Sequence, residues 1–378
     1  MGPLEGVRIV EFAGIGPGPF AGMMLADMGA EILRIDRKGP LDPTRGDPHR
    51  DIASRGRKSI TLNLKAEGAT ETALSLIEQA DALIEGFRPG VMERLGLGPK
   101  VCHERNQALV YGRMTGWGQS GPLALAAGHD INYISLCGAL WSMGEADRDP
   151  VPPLNLLGDY GAGGMMLAYG MVCALFKART SGTGDVVDAA ICDGAATLMA
   201  PIFGQLAKGI WKNQRQANRL DGAAPFYGVY RCSDDKWISI APLEPQFYAL
   251  FLQLLELNPK DFADRLNPEN WQKHRIFFES IFATKTRDEW CTLFEGTDIC
   301  FAPVLDMDEA PEHAHNQARG VFVKEGGVLQ PAPAPRFTNS PPELPTMSPA
   351  PGDDNATALL DWGYSKDDID RLSKAGIL

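Results

Sequence analysis

The order of the apolar runs restricts this chain most. Two short stretches, residues 7–12 and 31–36, flank a Gly/Pro turn at 14–19, an amphipathic segment at 20–28 and the stop Gly29. Strand, turn, helix and strand in that sequence make a βαβ unit, with two parallel strands side by side and the helix across one face. The pattern continues with strands expected at 59–64, 82–85 and 109–114 and a helix at 70–79. Strands this apolar belong in a parallel sheet covered by helices, so the first third is read as a Rossmann-like α/β domain.

Further along, the Gly/Ala-rich segment 160–177 reads as a closely packed buried helix, 185–189 as a strand, and 193–208 as another helix. A hairpin over 227–231 and 236–241, turning at Ser233-Asp234-Asp235, precedes helices at 246–255 and 271–282, which makes a smaller α+β domain. At 378 residues the chain exceeds what one hydrophobic core supports. The expected division is a large domain of 1–208 with 332–378, a linker at 209–224, and a small domain at 225–331. Eight prolines between 331 and 352 favour an extended connector. After it, Ser365 and Asp368 form a capping-box start before Ile369 and Leu372, so the tail is expected to dock back onto the body.

The net charge of −12 argues against nucleic-acid binding, which needs a basic face. Any anionic ligand must find a local basic pocket, and candidates sit at the expected strand ends: Arg34, Arg37 and Lys38; Arg55, Arg57 and Lys58; Lys65 and Arg88. Seven scattered cysteines make neither a disulfide framework nor a metal site, and His313 and His315 beside Glu312 read as surface residues. No run approaches the roughly 18 apolar residues of a membrane span, and residues 1–11 read as leading into a strand rather than as a cleavable signal. The end, Ala375-Gly376-Ile377-Leu378, is not a Ser-Lys-Leu address. A cytoplasmic protein without membrane or nucleic-acid partners is expected.

The turn Gly14-Ile15-Gly16-Pro17-Gly18-Pro19, with Asp36 ending the next strand, invites a dinucleotide reading. It is rejected because Pro19 replaces the third glycine, and Pro17 and Pro19 each remove an N–H that a pyrophosphate would need.

Three motifs carry candidate chemistry: Gly128-His129-Asp130-Ile131-Asn132-Tyr133, then Asn155-Leu156-Leu157-Gly158-Asp159 opening a helix, then Glu244-Pro245-Gln246-Phe247-Tyr248. Singly each has a bland explanation, since an Asp before a helix is usually a cap and a Glu before proline simply suits a first turn. Together they resemble the α-methylacyl-CoA racemases of the family III CoA-transferase superfamily. The resemblance extends to Leu4-Glu5-Gly6-Val7-Arg8, the Gly/Pro turn, Glu85-Gly86-Phe87-Arg88-Pro89-Gly90-Val91, Met114-Thr115-Gly116-Trp117-Gly118-Gln119 and Asp221-Gly222-Ala223-Ala224-Pro225-Phe226-Tyr227. The proline-rich tail matches least.

That resemblance implies racemisation at C2 of 2-methylacyl-CoA thioesters in fatty acid metabolism, with coenzyme A as part of the substrate and no separate cofactor or metal. His129 and Asp159 would be the acid/base pair, Glu244 the carboxylate supporting His129, and Asn155 and Tyr133 supporting residues. CoA contacts would map onto Arg37, Leu62, Lys65 and Arg88, with Arg57 and Lys58 nearby. An interlocked homodimer is also implied, with the site between lobes and Glu244 acting in trans. Met23, Met24, Met165 and Met166 are candidates for a pliable acyl surface, though core packing accounts for most of them.

The chemistry is consistent. An α-proton is far less acidic than any side chain, so the enolate needs donors aimed at the thioester oxygen, and a helix start supplies them; the amide of Asp159 itself is one candidate. Two-face proton transfer needs an Asp that can be protonated near neutral pH, which a dry pocket provides, and a negative Glu244 favours the imidazolium. The alternative is a family III CoA-transferase in which Asp159 attacks the thioester to form an aspartyl-CoA anhydride. A binding protein without catalysis is a third reading, and it has no use for a paired acid and base.

Overall fold

The computed structural model describes residues 2–378 except 41, 43 and 45, so Met1 of the expected leading segment lies outside the described residues. The chain groups into two compact units: Met1–Ala139 with Pro153–Met199 and Val321–Leu378, and Leu140–Pro152 with Ala200–Gly320.

The first unit is built on six parallel strands: β1 (Arg8–Phe12), β2 (Glu31–Arg37), β3 (Arg57–Leu62), β4 (Ala82–Glu85), β5 (Val110–Thr115) and β6 (Val186–Ala190). Their order is β3-β2-β1-β4-β5-β6. The chain therefore runs outward from β1 and then returns to build in the other direction from β4, which puts the reversal of a doubly wound sheet between β1 and β4. Val10, Phe12, Leu33, Ile35, Ile60 and Leu83 are fully buried, as expected for strands covered on both faces.

The tail completes this unit. Ala358, Leu359, Trp362, Ile369 and Leu372 join the sheet's core, and the Ser365–Asp368 capping box forms as the sequence indicates. It also covers edge strand β3: the Ser59 amide donates to Asp354 Oδ2 (2.9 Å), the Thr61 amide to Asn355 Oδ1 (2.8 Å), and the Asn63 amide to the Ile377 carbonyl (2.8 Å). An edge that would otherwise invite another strand is closed by side chains and backbone of the same chain.

The second unit has an antiparallel sheet of β7 (Gly228–Arg231), β8 (Trp237–Ile240) and β9 (Phe301–Val304). Helices Pro245–Leu254, Trp271–Phe282 and Arg287–Phe294 contribute to its aromatic core of Phe226, Tyr230, Phe251, Phe278, Phe282, Trp290 and Phe294.

Two expectations change. The helix read over 193–208 is two helices, Ile191–Leu198 and Ala200–Ala207, because Pro201 has no N–H for the carbonyl of Thr197 and its ring crowds that turn. The segment 160–177 is the middle of a longer helical stretch, Leu156–Ser181, that has the length and apolar composition to cross a membrane, contrary to the reading from uninterrupted apolar runs. Half of it is buried within the first unit, where Leu167, Ala168, Met171 and Leu175 face the core.

Ion pairs are set inside the first unit. Glu11 Oε2 accepts from Arg57 Nε at 3.0 Å with both side chains essentially inaccessible, and Asp27 pairs with Arg55 at 2.5 Å. Gly22 makes room for the former, since a Cβ there would fall 2.4 Å from Arg57 Nη2. Removing one partner leaves a buried, uncompensated charge, so Glu11→Ala is expected to cost about 3–5 kcal/mol in urea unfolding. Exchanging the pair for apolar residues of similar volume should cost much less.

Candidate active site

At the reversal point, the loops after β1 and β4 diverge and leave a cleft of about 640 Å³ lined by Ala13, Gly14 and Ile15 on one side, Gly86 and Phe87 on another, and Arg34, Asp36 and Arg37 from β2. Open α/β sheets bind ligands in this position. Arg37 is exposed there, whereas Arg34 is held by Asp36 (2.7 Å) and the Pro349 carbonyl (3.1 Å).

The other basic candidates divide by burial. Lys65 and Arg88 are exposed. Arg57 is interior and bound to Glu11, so it is not available to a phosphate; Lys58 pairs with Asp361 at 2.5 Å. Lys38 donates to the Leu378 and Gly376 carbonyls, and Leu62 is a core side chain that can offer a ligand only its backbone.

His129 is exposed and stands at the start of helix Asp130–Leu136, where its amide donates to Asn132 Oδ1 at 3.0 Å. Tyr133 is buried on the same helix, its hydroxyl donating to the Gly128 carbonyl and its ring edge-on to Trp117 at 4.7 Å. Gly116 and Gly128 are required here, because a Cβ at either would lie 2.0 or 2.8 Å from the tyrosine ring.

Asp159 arrives on a π-helix, Leu156–Gly164, that begins after Asn155 and continues as the α-helix Met165–Ser181. Its first rung is Tyr160 N–H to the Asn155 carbonyl at 3.3 Å, so the amides of 156–159 precede the ladder. Tight packing accompanies the wide helix: Gly163 and Gly164 lie against Pro17, Phe20 and Ile191, leaving no space for a Cβ.

The Asp159 carboxyl is held above its ordinary value chiefly by burial, with the Asp130 carboxylate adding to it; the Asn155 side-chain hydrogen bond and the nearby His129 pull the other way. The first unit thus brings Asp159 into the electrostatic neighbourhood of His129, Asn155 and Tyr133, whose own proton affinity is raised by burial and by Asp159 and lowered by Arg88.

One expectation is corrected. The Asp159 amide does not stand open for an enolate oxygen; it donates to Asp130 Oδ2 at 2.6 Å. Asp130 lies within the His129 motif but has no assigned role in the sequence reading. The available clue is Gly158, where a Cβ would fall 2.3 Å from Asp130 Oδ2.

Glu244, in the second unit, is exposed and precedes helix Pro245–Leu254. Arg265 fixes the backbone leading to it, donating to the carbonyls of Pro242 (3.2 Å) and Leu243 (3.0 Å) while its guanidinium lies over the rings of Tyr248 (4.5 Å) and Phe226 (5.1 Å). Nothing local in the sequence distinguishes Arg265 from a surface arginine.

Comparison with known proteins gives a consistent picture. Residues 4–355 match CoA-transferase family III. The chain is 41% identical to the alpha-methylacyl-CoA racemase of Mus musculus, over 98% of this chain and 96% of that protein. It is 39% identical to that of Homo sapiens, over 99% and 97%. A CAIB/BAIF family protein from Brucella suis shares the fold, with a TM-score of 0.80 at 24% identity over 96% of this chain and 99% of that one.

Because the folded state holds the Asp159 proton more tightly than the unfolded chain does, this side chain weakens folding as pH rises through its folded value; the penalty is absent below the unfolded one. Asp159→Asn is therefore expected to melt higher than the parent near neutral pH. The difference should close below about pH 4 in thermal scans.

Proposed function

The chain belongs to the CoA-transferase family III, and from that membership we propose that it racemises C2 of 2-methylacyl-CoA thioesters. The observation that carries the reading is the pairing of two proton carriers, Asp159, whose proton affinity is raised by burial and by the Asp130 carboxylate, and His129, which lies near enough to act on it. An acid and a base set together serve proton transfer between the two faces of one carbon, whereas the anhydride route of a CoA-transferase needs the carboxylate alone.

In one direction the neutral imidazole of His129 takes the C2 proton. The C–H electron pair becomes the C1–C2 double bond of an enolate, and the charge moves to the thioester oxygen. Asp159 then gives its proton to the opposite face of C2, leaving an imidazolium and a carboxylate; the reverse direction exchanges the roles. Asn155 steadies Asp159, and Tyr133 walls the site. In the homodimer that belongs to this reading, Glu244 of the second copy supports the imidazolium; within each chain Arg265 fixes the backbone that leads into Glu244. The exposed cations Arg37, Lys65 and Arg88 hold the CoA phosphates and Leu62 contributes backbone; Arg57 and Lys58 are left to structural ion pairs. The same reading takes 1–208 with 332–378 as the CoA-binding domain, 209–224 as the linker and 225–331 as the small domain.

The central test incubates the protein with one enantiomer of a 2-methylacyl-CoA in deuterium oxide, with no acid acceptor present. Deuterium at C2 together with inversion of that centre is expected. His129→Ala and Asp159→Ala should each lower the rate by about 10²–10⁴-fold. Turnover that begins only on adding a free carboxylic acid would identify a transferase instead.

A homodimer belongs to this reading, supported by an apolar stripe on helix Met165–Ser181. Met165, Tyr169, Val172 and Phe176 follow one face at helical spacing and are all well exposed, Phe176 at 75%. A second copy covers it. Light scattering should give a dimer for the parent chain and a monomer for the double variant Tyr169→Asp, Phe176→Asp.

A further inference from the structure

Asp130 is 7% exposed, and its two oxygens differ. Oδ2 accepts the Asp159 amide at 2.6 Å, while Oδ1 is buried with no hydrogen-bond partner among the described residues. An acceptor needed only to satisfy one amide could be a serine or asparagine. A carboxylate with an unsatisfied buried oxygen is a costlier choice, so its charge must matter to something nearby. Gly158 is left without a Cβ at the point of contact, which keeps Asp130 close to the residue that follows.

We propose that Asp130 is a positioning residue for Asp159, its carboxylate fixing the Asp159 backbone and setting the charge state of the Asp159 side chain. The proposal rests on the reading that Asp159 carries a proton in the reaction. In this role the Asp130 side chain acts through Asp159.

The groups around Asp159 make the effect separable. Asp130, His129 and Tyr133 face it from the helix Asp130–Leu136 and its start, and Asn155 is neutral. Among the packed helices, Ile191–Leu198 brings Cys192 and Asp193, while Pro17–Asp27 brings Asp27, already paired with Arg55. Of the charges that favour the protonated form of Asp159, Asp130 is the one that acts on it directly.

Asp130→Asn keeps an acceptor for the amide and removes the charge; Asp130→Ala removes both. With the charge gone, Asp159 ionises at lower pH, so with the enantiomer whose C2 proton Asp159 removes, the acid limb of the kcat/KM profile of Asp130→Asn should move down by about one pH unit. Asp130→Ala should in addition lose roughly 10²-fold in kcat with KM nearly unchanged, as expected for a displaced reacting group. Profiles that only scale in height, with both limbs where the parent has them, would overturn the proposal. A second measurement does not depend on turnover: the Asp159 carboxyl is titrated by infrared difference spectroscopy in the parent and in Asp130→Asn, with Asp159→Asn as the blank. An unmoved carboxyl titration overturns the role of Asp130 even if racemisation is found. A downward shift sustains it even if the parent exchanges no deuterium at C2, a result that would count against the racemase reading alone.

Discussion

A parallel sheet must be covered on both faces, and most of the first unit follows from that constraint. Crossovers place helices on each side and collect the connecting loops at the carboxyl ends of the strands. Because the order reverses between β1 and β4, the loops Ala13–Gly14–Ile15 and Gly86–Phe87 part and the 640 Å³ cleft opens between them. The reversal also leaves β3 at an edge, and the last residues of the chain close it through Asp354, Asn355 and the Ile377 carbonyl. The start and the end of the polypeptide thus contribute to one core.

Burial then sorts the charges of this acidic chain. Arg55, Arg57 and Arg113 lie inside, each beside a carboxylate on a neighbouring element: Asp27, Glu11 and Glu85. Arg37, Lys65 and Arg88 remain at the surface, where an anion can reach them. All of these look alike in the sequence, as basic residues near strand ends. The difference is desolvation: an interior guanidinium is tolerable only with its partner in place, and that partner is distant along the chain.

The local placement of the candidate residues was legible by type and spacing, since His129 opens a helix and Asp159 lies near the start of another, as the motifs indicate. Their electrostatics were only partly so. A raised proton affinity for Asp159 follows from a dry, Gly/Ala-rich setting, but the second carboxylate beside it is visible only once the two helix starts are adjacent. That contact also removes the Asp159 amide from the donors open to an enolate oxygen. The π-helix is not legible in the sequence because its hydrogen bonds close one residue further along than those of an α-helix, a change that apolar periodicity over nine residues does not register.

What the sequence determined by itself was local: the βαβ succession, the hairpin at Ser233-Asp234-Asp235, the capping box at Ser365, and the residue types able to exchange a proton. Periodicity, turn chemistry and caps act over a few residues, so they can be read along the chain. Tertiary structure decided what depends on residues far apart in sequence. It chose which arginines are neutralised inside, where Pro201 divides a helix, how the tail seals β3, and that Asp130 holds Asp159 across a separation of 29 residues. Those outcomes depend on which groups lose water and which neighbours replace it, and only packing in three dimensions sets that.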